Sequence, residues 1–191
     1  MEIGQSLPGY IFLYDALMIQ KIQQQFKIPL QFIGLAYIDG YKLFRFRPNI
    51  VACKIGETRG VLSNRGNYRV FGAVYRLENP FYNMMLLDSY YYCSQSRLNR
   101  ISKNDMRVRT QDTVTLYTIE TIEDLLTHQY RPVQSVKSLL YTYNHLDDRC
   151  RKHINYGRYR LVDGIDVPSY KTLFAELNIP ETKEPIHNGN K

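Results

Sequence analysis

The tightest constraint in this sequence is a strand that must run straight into a helix. Ile11-Phe12-Leu13 is a short apolar, strand-compatible run, and from Leu17 onward the spacing turns helical, with Met18, Ile22 and Phe26 on one face. Tyr14-Asp15-Ala16 leaves room only for a tight turn. Asp15 suits the N-cap, where its side chain can accept from the free amides of the first turn. Such a turn also points amides outward, where they can hold an anion. Pro29 stops the helix.

Beyond Pro29 the chain is mainly strand. Residues 30–38 read as a mostly buried strand, and Asp39-Gly40 is a hairpin signal before the alternating run 41–46. Residues 49–53 form a short apolar run. Residues 69–77 form the clearest strand, with Gly72 marking a close backbone approach or a bulge. Pro80 opens a helix ending around 88–92, with Tyr82, Met85, Leu86 and Ser89 on its inner face. Residues 106–109 and 113–117 read as a hairpin closed near Gln111-Asp112. A short helix or a lobe insertion over 120–128, strands over 136–143 and 159–162, and a terminal amphipathic helix over 168–177 complete the order. Helices are thus embedded among strands without regular βαβ alternation. The class is α+β, with a small mixed or antiparallel barrel-like sheet and flanking helices. Residues 1–8 are a lead-in, 9–178 a single domain, and 179–191 a polar, flexible tail.

Composition excludes several classes. No apolar run approaches the roughly 20 residues of a membrane span, and no basic-then-apolar leader opens the chain. The three cysteines, Cys53, Cys93 and Cys150, lack CxxC or Cys/His spacing. No disulfide framework or structural zinc site is expected, and a reducing, cytoplasmic setting is. No metal or cofactor motif is present. The 25 Lys and Arg exceed the 18 Asp and Glu, a net +7, which favours polyanions weakly. Arg97, Arg100, Lys103, Arg107 and Arg109 form one basic run; Arg149, Arg151, Lys152, His153, Arg158 and Arg160 form another. With tyrosines at 90–92, 156 and 159 nearby, these could bind a nucleotide or nucleic acid. Solvated loops are the favoured reading.

Taken in order, the segments resemble the gamma-glutamylcyclotransferase-like (AIG2-like) superfamily. That group opens with a Tyr-Gly-Ser/Thr-Asn/Leu-Leu/Met loop, matched by Tyr14-Asp15-Ala16-Leu17-Met18. Asp39-Gly40-Tyr41-Lys42-Leu43-Phe44 matches a second segment. Val70-Phe71-Gly72-Ala73-Val74-Tyr75 matches a Val-x-Gly-x-Leu/Val-Tyr strand, and Leu87-Asp88-Ser89-Tyr90-Tyr91-Tyr92 a helix ending in Leu-Asp-x-Tyr-Glu-Gly. Segments 138–143 and 154–160 match later parts, so the resemblance spans about residues 9–163. It implies a small mixed barrel and a ligand cavity between the first loop and the Leu-Asp helix, with Tyr14, Asp15, Ala16, Leu17, Met18, Tyr75 and Tyr91 as ligand-binding positions.

The departures fall where the chemistry is implied to be. Family cyclotransferases close a lactam, with the substrate's α-amine attacking its γ-carbonyl. A carboxylate is suited to taking the amine's proton. The family's Glu is here Tyr91, and a phenol with a pKa near 10 is a poor base at neutral pH. The family's loop Gly is here Asp15, whose carboxylate repels that of the substrate. The resemblance therefore implies an inactive domain that binds a protein partner or a small anionic ligand, without cofactor or metal. One alternative is a diverged cyclotransferase with a relocated acid or base, at Asp88 or Asp15; another is nucleotide or nucleic-acid binding through the basic loops.

Overall fold

The computed structural model describes residues 9–46, 49–54, 68–88, 107–143, 160–162 and 167–183. Strand β1, Tyr10–Leu13, passes through the short turn into helix α1, Ala16–Gln20. The helix then widens into a π-helical turn, Lys21–Gln25, closed by the Phe26 N–H donating to the Lys21 carbonyl at 3.2 Å. Met18 and Ile22 are buried and Phe26 packs against the same core. Strands β2 (Leu30–Asp39), β3 (Tyr41–Phe46), β4 (Asn49–Lys54) and β5 (Arg69–Leu77) come next. Helix α2 spans 80–88. Strand β6 (Arg107–Thr118), the short helix α3 (Ile122–Leu126), β7 (Arg131–Tyr143), β8 (Arg160–Val162) and helix α4 (Val167–Glu176) complete the described chain.

The strands form one eight-stranded sheet in the order β1-β5-β2-β6-β7-β4-β3-β8. β7 also pairs in parallel with β1, Ile11 beside Leu139, so β1-β5-β2-β6-β7 closes into a barrel. This is the α+β class expected, with a mixed barrel and flanking helices. Alternation along each strand separates two cores. Phe12, Ala36, Ile38, Val70, Val74, Val114 and Leu140 cluster without any helical residue and fill the barrel. Ile11, Leu13, Leu35, Phe71, Tyr75 and Tyr141 face outward and are covered by Met18 of α1, Ile22 of the π-helical turn, Met84 and Leu87 of α2, and Leu173 and Phe174 of α4. Gly72 is the contact that lets β1 seat on β5. A Cβ there would lie 2.5 Å from the Leu13 carbonyl oxygen and 2.7 Å from the Phe12 ring.

Four local readings are corrected. Asp39-Gly40 is a corner, not a hairpin: β2 pairs with β5 and β6, whereas β3 pairs with β4 and β8. Gly40 takes φ +80, its N–H donates to the Tyr68 carbonyl, and Arg69 grips the Asp39 carboxylate through two nitrogens. Backbone and guanidinium thus replace the partner strand the turn motif called for. β2 is buried only from Leu35 to Ile38. Gln31, Phe32 and Ile33 are exposed, because a bulge between Phe32 and Gly34 shifts the register and only Ala36 and Tyr37 pair with β6. No turn occurs at Gln111-Asp112. β6 is continuous, both residues sit in the β7 ladder, and the Asp112 carboxylate accepts from Tyr41 and Lys54 instead of capping a turn. On α2 the phase is different from the expected one: Asn83, Met84 and Leu87 face inward, while Tyr82 and Met85 are exposed. The Asn83 amide donates back to the Glu78 carbonyl, which turns that face to the sheet. Ser89 lies outside the described residues.

Candidate functional site

Tyr14 directly follows β1 and points its phenol inward. The hydroxyl donates to the Tyr141 carbonyl at 2.6 Å and accepts from the Ala52 N–H at 3.1 Å. One oxygen thereby joins the first loop to β7 and β4. Asp15 is buried, and its carbonyl accepts the Ile19 N–H at 3.1 Å, which starts α1 at the N-cap position the sequence indicated. Ala16 and Leu17 supply the first backbone of α1; their side chains lie outside the described part of the chain. Met18 is part of the outer core.

Asp88, at the described end of α2, meets two residues that stand opposite one another in the β6–β7 ladder, Arg109 and Tyr141. Asp88 Oδ1 accepts from the Tyr141 hydroxyl at 2.8 Å, and Oδ2 pairs with Arg109 Nη1 at 2.9 Å. Tyr141 is therefore the hinge of the arrangement: its carbonyl takes the Tyr14 hydroxyl and its own hydroxyl reaches Asp88. The two halves of the expected site, loop and α2, are linked through one buried tyrosine. Tyr75 belongs to neither half. It is buried on β5 with its ring edge-on to Phe32, centroids 5.7 Å apart. Burial, and then the Glu176 carboxylate, push its phenol well above the usual range. At neutral pH it is a hydrogen-bond donor, not a base. Tyr91 lies outside the described residues.

Chemically, the Asp88 carboxylate is committed. Both oxygens of Asp88 already accept, and a carboxylate fixed by an arginine and a phenol acts first as an anchor between elements. The sequence named Asp88 and counted Arg109 in a basic run, yet gave no role to Tyr141. The signal lay in register: residues facing each other across an antiparallel pair present side chains to one face. Of the first basic run, Arg109 is the member whose side chain is described, and it is paired to Asp88; Arg97, Arg100, Lys103 and 149–158 lie outside the described residues. Among the described residues no group of three or more His, Cys, Asp or Glu could hold a metal ion, and no helix is long and apolar enough to cross a membrane.

Comparison with known proteins adds fold likeness alone. No family model matches the sequence, and no curated protein matches it. Among solved structures, an AIG2-like protein from Mus musculus is similar at 16% identity, covering 73% of this chain and 80% of that one, with a TM-score of 0.45. An uncharacterized protein from Pyrococcus horikoshii is similar at 16% identity over 76% of this chain and 96% of that one, with a TM-score of 0.36.

Proposed function

We propose that this chain is a cyclotransferase-like domain that has lost catalysis and works by binding, taking a protein partner or a small anionic ligand where the first loop meets α2. One observation carries the reading: the carboxylate best placed by sequence to replace the missing Glu, Asp88, is held by Tyr141 and Arg109 as a structural tie. Lactam closure requires a group free to take the proton of the attacking amine. To act, Asp88 must give up a contact that fastens α2 to the barrel. Among the described candidate positions neither phenol offers a substitute: Tyr75 is shifted upward by burial and by Glu176, and Tyr14 is engaged at both lone pair and proton.

The test is turnover. The purified chain, incubated with γ-glutamyl-amines and with glutathione, is expected to release no 5-oxoproline above the blank. The Asp88→Asn variant is expected to show the same null result together with a lower melting temperature. Release of 5-oxoproline that disappears in Asp88→Asn or Asp15→Asn refutes the reading and establishes a relocated base.

A further inference from the structure

Helix α2 has no polar side to give to water. Among residues 80–88 the polar groups are Asn83, Asp88 and the Tyr82 hydroxyl. Asn83 is buried with its amide on the Glu78 carbonyl, and Asp88 is tied to Tyr141 and Arg109. The outward residues are Phe81, Tyr82 and Met85, which are 71%, 61% and 55% exposed. Steps of four and three along the helix set Met85 beside both rings, so the three side chains form one patch. The other flanking helices turn polar residues outward: α1 and its π-helical turn expose Gln20, Lys21 and Gln24, and α4 exposes Lys171 and Glu176. A helix that is apolar all round belongs in an interior, yet more than half of each of these three residues meets solvent in a single copy of the chain.

We propose that the outer face of α2 is the contact between two copies of this chain, packed about a two-fold axis. Such a pairing is independent of whether the first loop and α2 bind a ligand. Charge identifies the occupant. The chain carries a net +7, so two copies repel where their charged surfaces meet. None of the 25 Lys and Arg or the 18 Asp and Glu falls between 79 and 87. In a two-fold pair the same patch faces itself, so a charge on it would meet its like. A neutral patch is what a second copy requires, whereas a partner chosen by opposite charge finds nothing on this face to match. The residue types agree. Met and aromatic side chains are enriched at interface cores, and the Tyr82 hydroxyl, donor and acceptor at once, can bond to its own counterpart. Area sets the strength: the patch offers about 350 Å² per copy, less than half of the roughly 800 Å² per partner in a standard stable complex. The pair is therefore reversible and forms as concentration rises.

Sedimentation equilibrium of the full chain, up to about 1 mM, tests this across the range of weak association. The mean mass of the wild type is expected to rise with concentration from one chain toward two. Met85→Lys sets an ammonium against a second copy of itself and is expected to weaken pairing about tenfold or more, as is Phe81→Lys. Both positions are more than half exposed, so the melting curves of the variants should match the wild type. Gln24→Lys adds the same charge on the exposed side of the π-helical turn and should leave pairing within about twofold of the wild type. Salt at about 0.5 M should tighten the wild-type pair, because it screens repulsion between copies and leaves an apolar contact intact. A wild type that stays a single chain at the highest concentration overturns the proposal and leaves α2 to a different partner. So does a dimer that both patch variants leave unchanged, that Gln24→Lys weakens equally, or that salt dissolves.

Discussion

Replacing Tyr14 by Phe separates a structural role for the first loop from a ligand-facing one. The substitution keeps the ring and removes one oxygen, but two buried groups lose their partner. The Tyr141 carbonyl loses a donor at 2.6 Å and the Ala52 N–H loses an acceptor at 3.1 Å. Both residues are almost fully buried, at 1% and 0% exposure, so no solvent compensates. A buried polar group left unsatisfied costs about 1–3 kcal/mol. Ala52 loses an acceptor for its one donor, whereas a carbonyl has a second lone pair. The sum is therefore set at about 3 kcal/mol. For a domain of this length that lowers the melting temperature by roughly 6–12 °C. Thermal and urea melts followed by circular dichroism read it directly. Tyr141→Phe is the internal control, since it removes one bond to a half-buried carboxylate and is expected to cost about 1 kcal/mol. If Tyr14→Phe melts within 0.5 kcal/mol of the wild type, or above it, the hydroxyl is not a strut and the first loop is not wired into the fold.

The same packing sets two further outcomes. Gly72→Ala is expected to cost about 3 kcal/mol or more, because the new methyl meets a backbone oxygen at 2.5 Å that cannot retreat without opening the β1–β5 ladder; soluble yield and the urea midpoint report it, and a wild-type midpoint contradicts the tight β1–β5 contact. Asp112 supplies a pH signature. Burial alone pushes its carboxyl up, but the Lys54 ammonium, the Thr113 N–H and the Tyr41 hydroxyl outweigh it and hold the group below its ordinary value. A lowered folded-state value means stability that is complete above the unfolded value, near pH 4, and lost as pH falls through the folded one. The wild type should therefore lose stability below about pH 4, and Asp112→Asn should flatten that part of the profile; an unchanged acid limb refutes the assignment.

The fold was legible wherever local pattern and tertiary context agree. β5 and β3 have the expected bounds because alternation and β-branched or aromatic content leave no competing state. α3 was legible from its acidic start, and the structure adds a capping box between Thr121 and Asp124. Reading failed where a distant partner overrides a local signal. Asp39-Gly40 has hairpin chemistry, yet Arg69, 30 residues later, captures the Asp39 carboxylate and the chain turns to a different strand. Gln111-Asp112 has turn chemistry, but Tyr41 and Lys54, 71 and 58 residues earlier, satisfy the carboxylate inside a ladder. On α2 the apolar residues Tyr82 and Met85 compete with Met84 and Leu87 for the inner face. Pattern alone cannot choose between them, and Asn83 bonding to Glu78 decides the rotation.

The same logic governs the candidate site. That residue 88 is a carboxylate near a missing Glu is visible from order along the chain, and so is the reason to suspect lost catalysis. What the carboxylate does is not visible, since it depends on Tyr141, 53 residues away, and on the register that sets Arg109 opposite Tyr141. A base and an anchor are the same residue type; they differ in what already occupies the oxygens. With Oδ1 on a phenol and Oδ2 on a guanidinium, any proton accepted by Asp88 weakens the contact between α2 and β6–β7. Catalysis at this position would thus have to loosen the element that shapes the site in each turnover. A binding domain bears no such cost, and this difference is the support for the proposal of recognition over turnover.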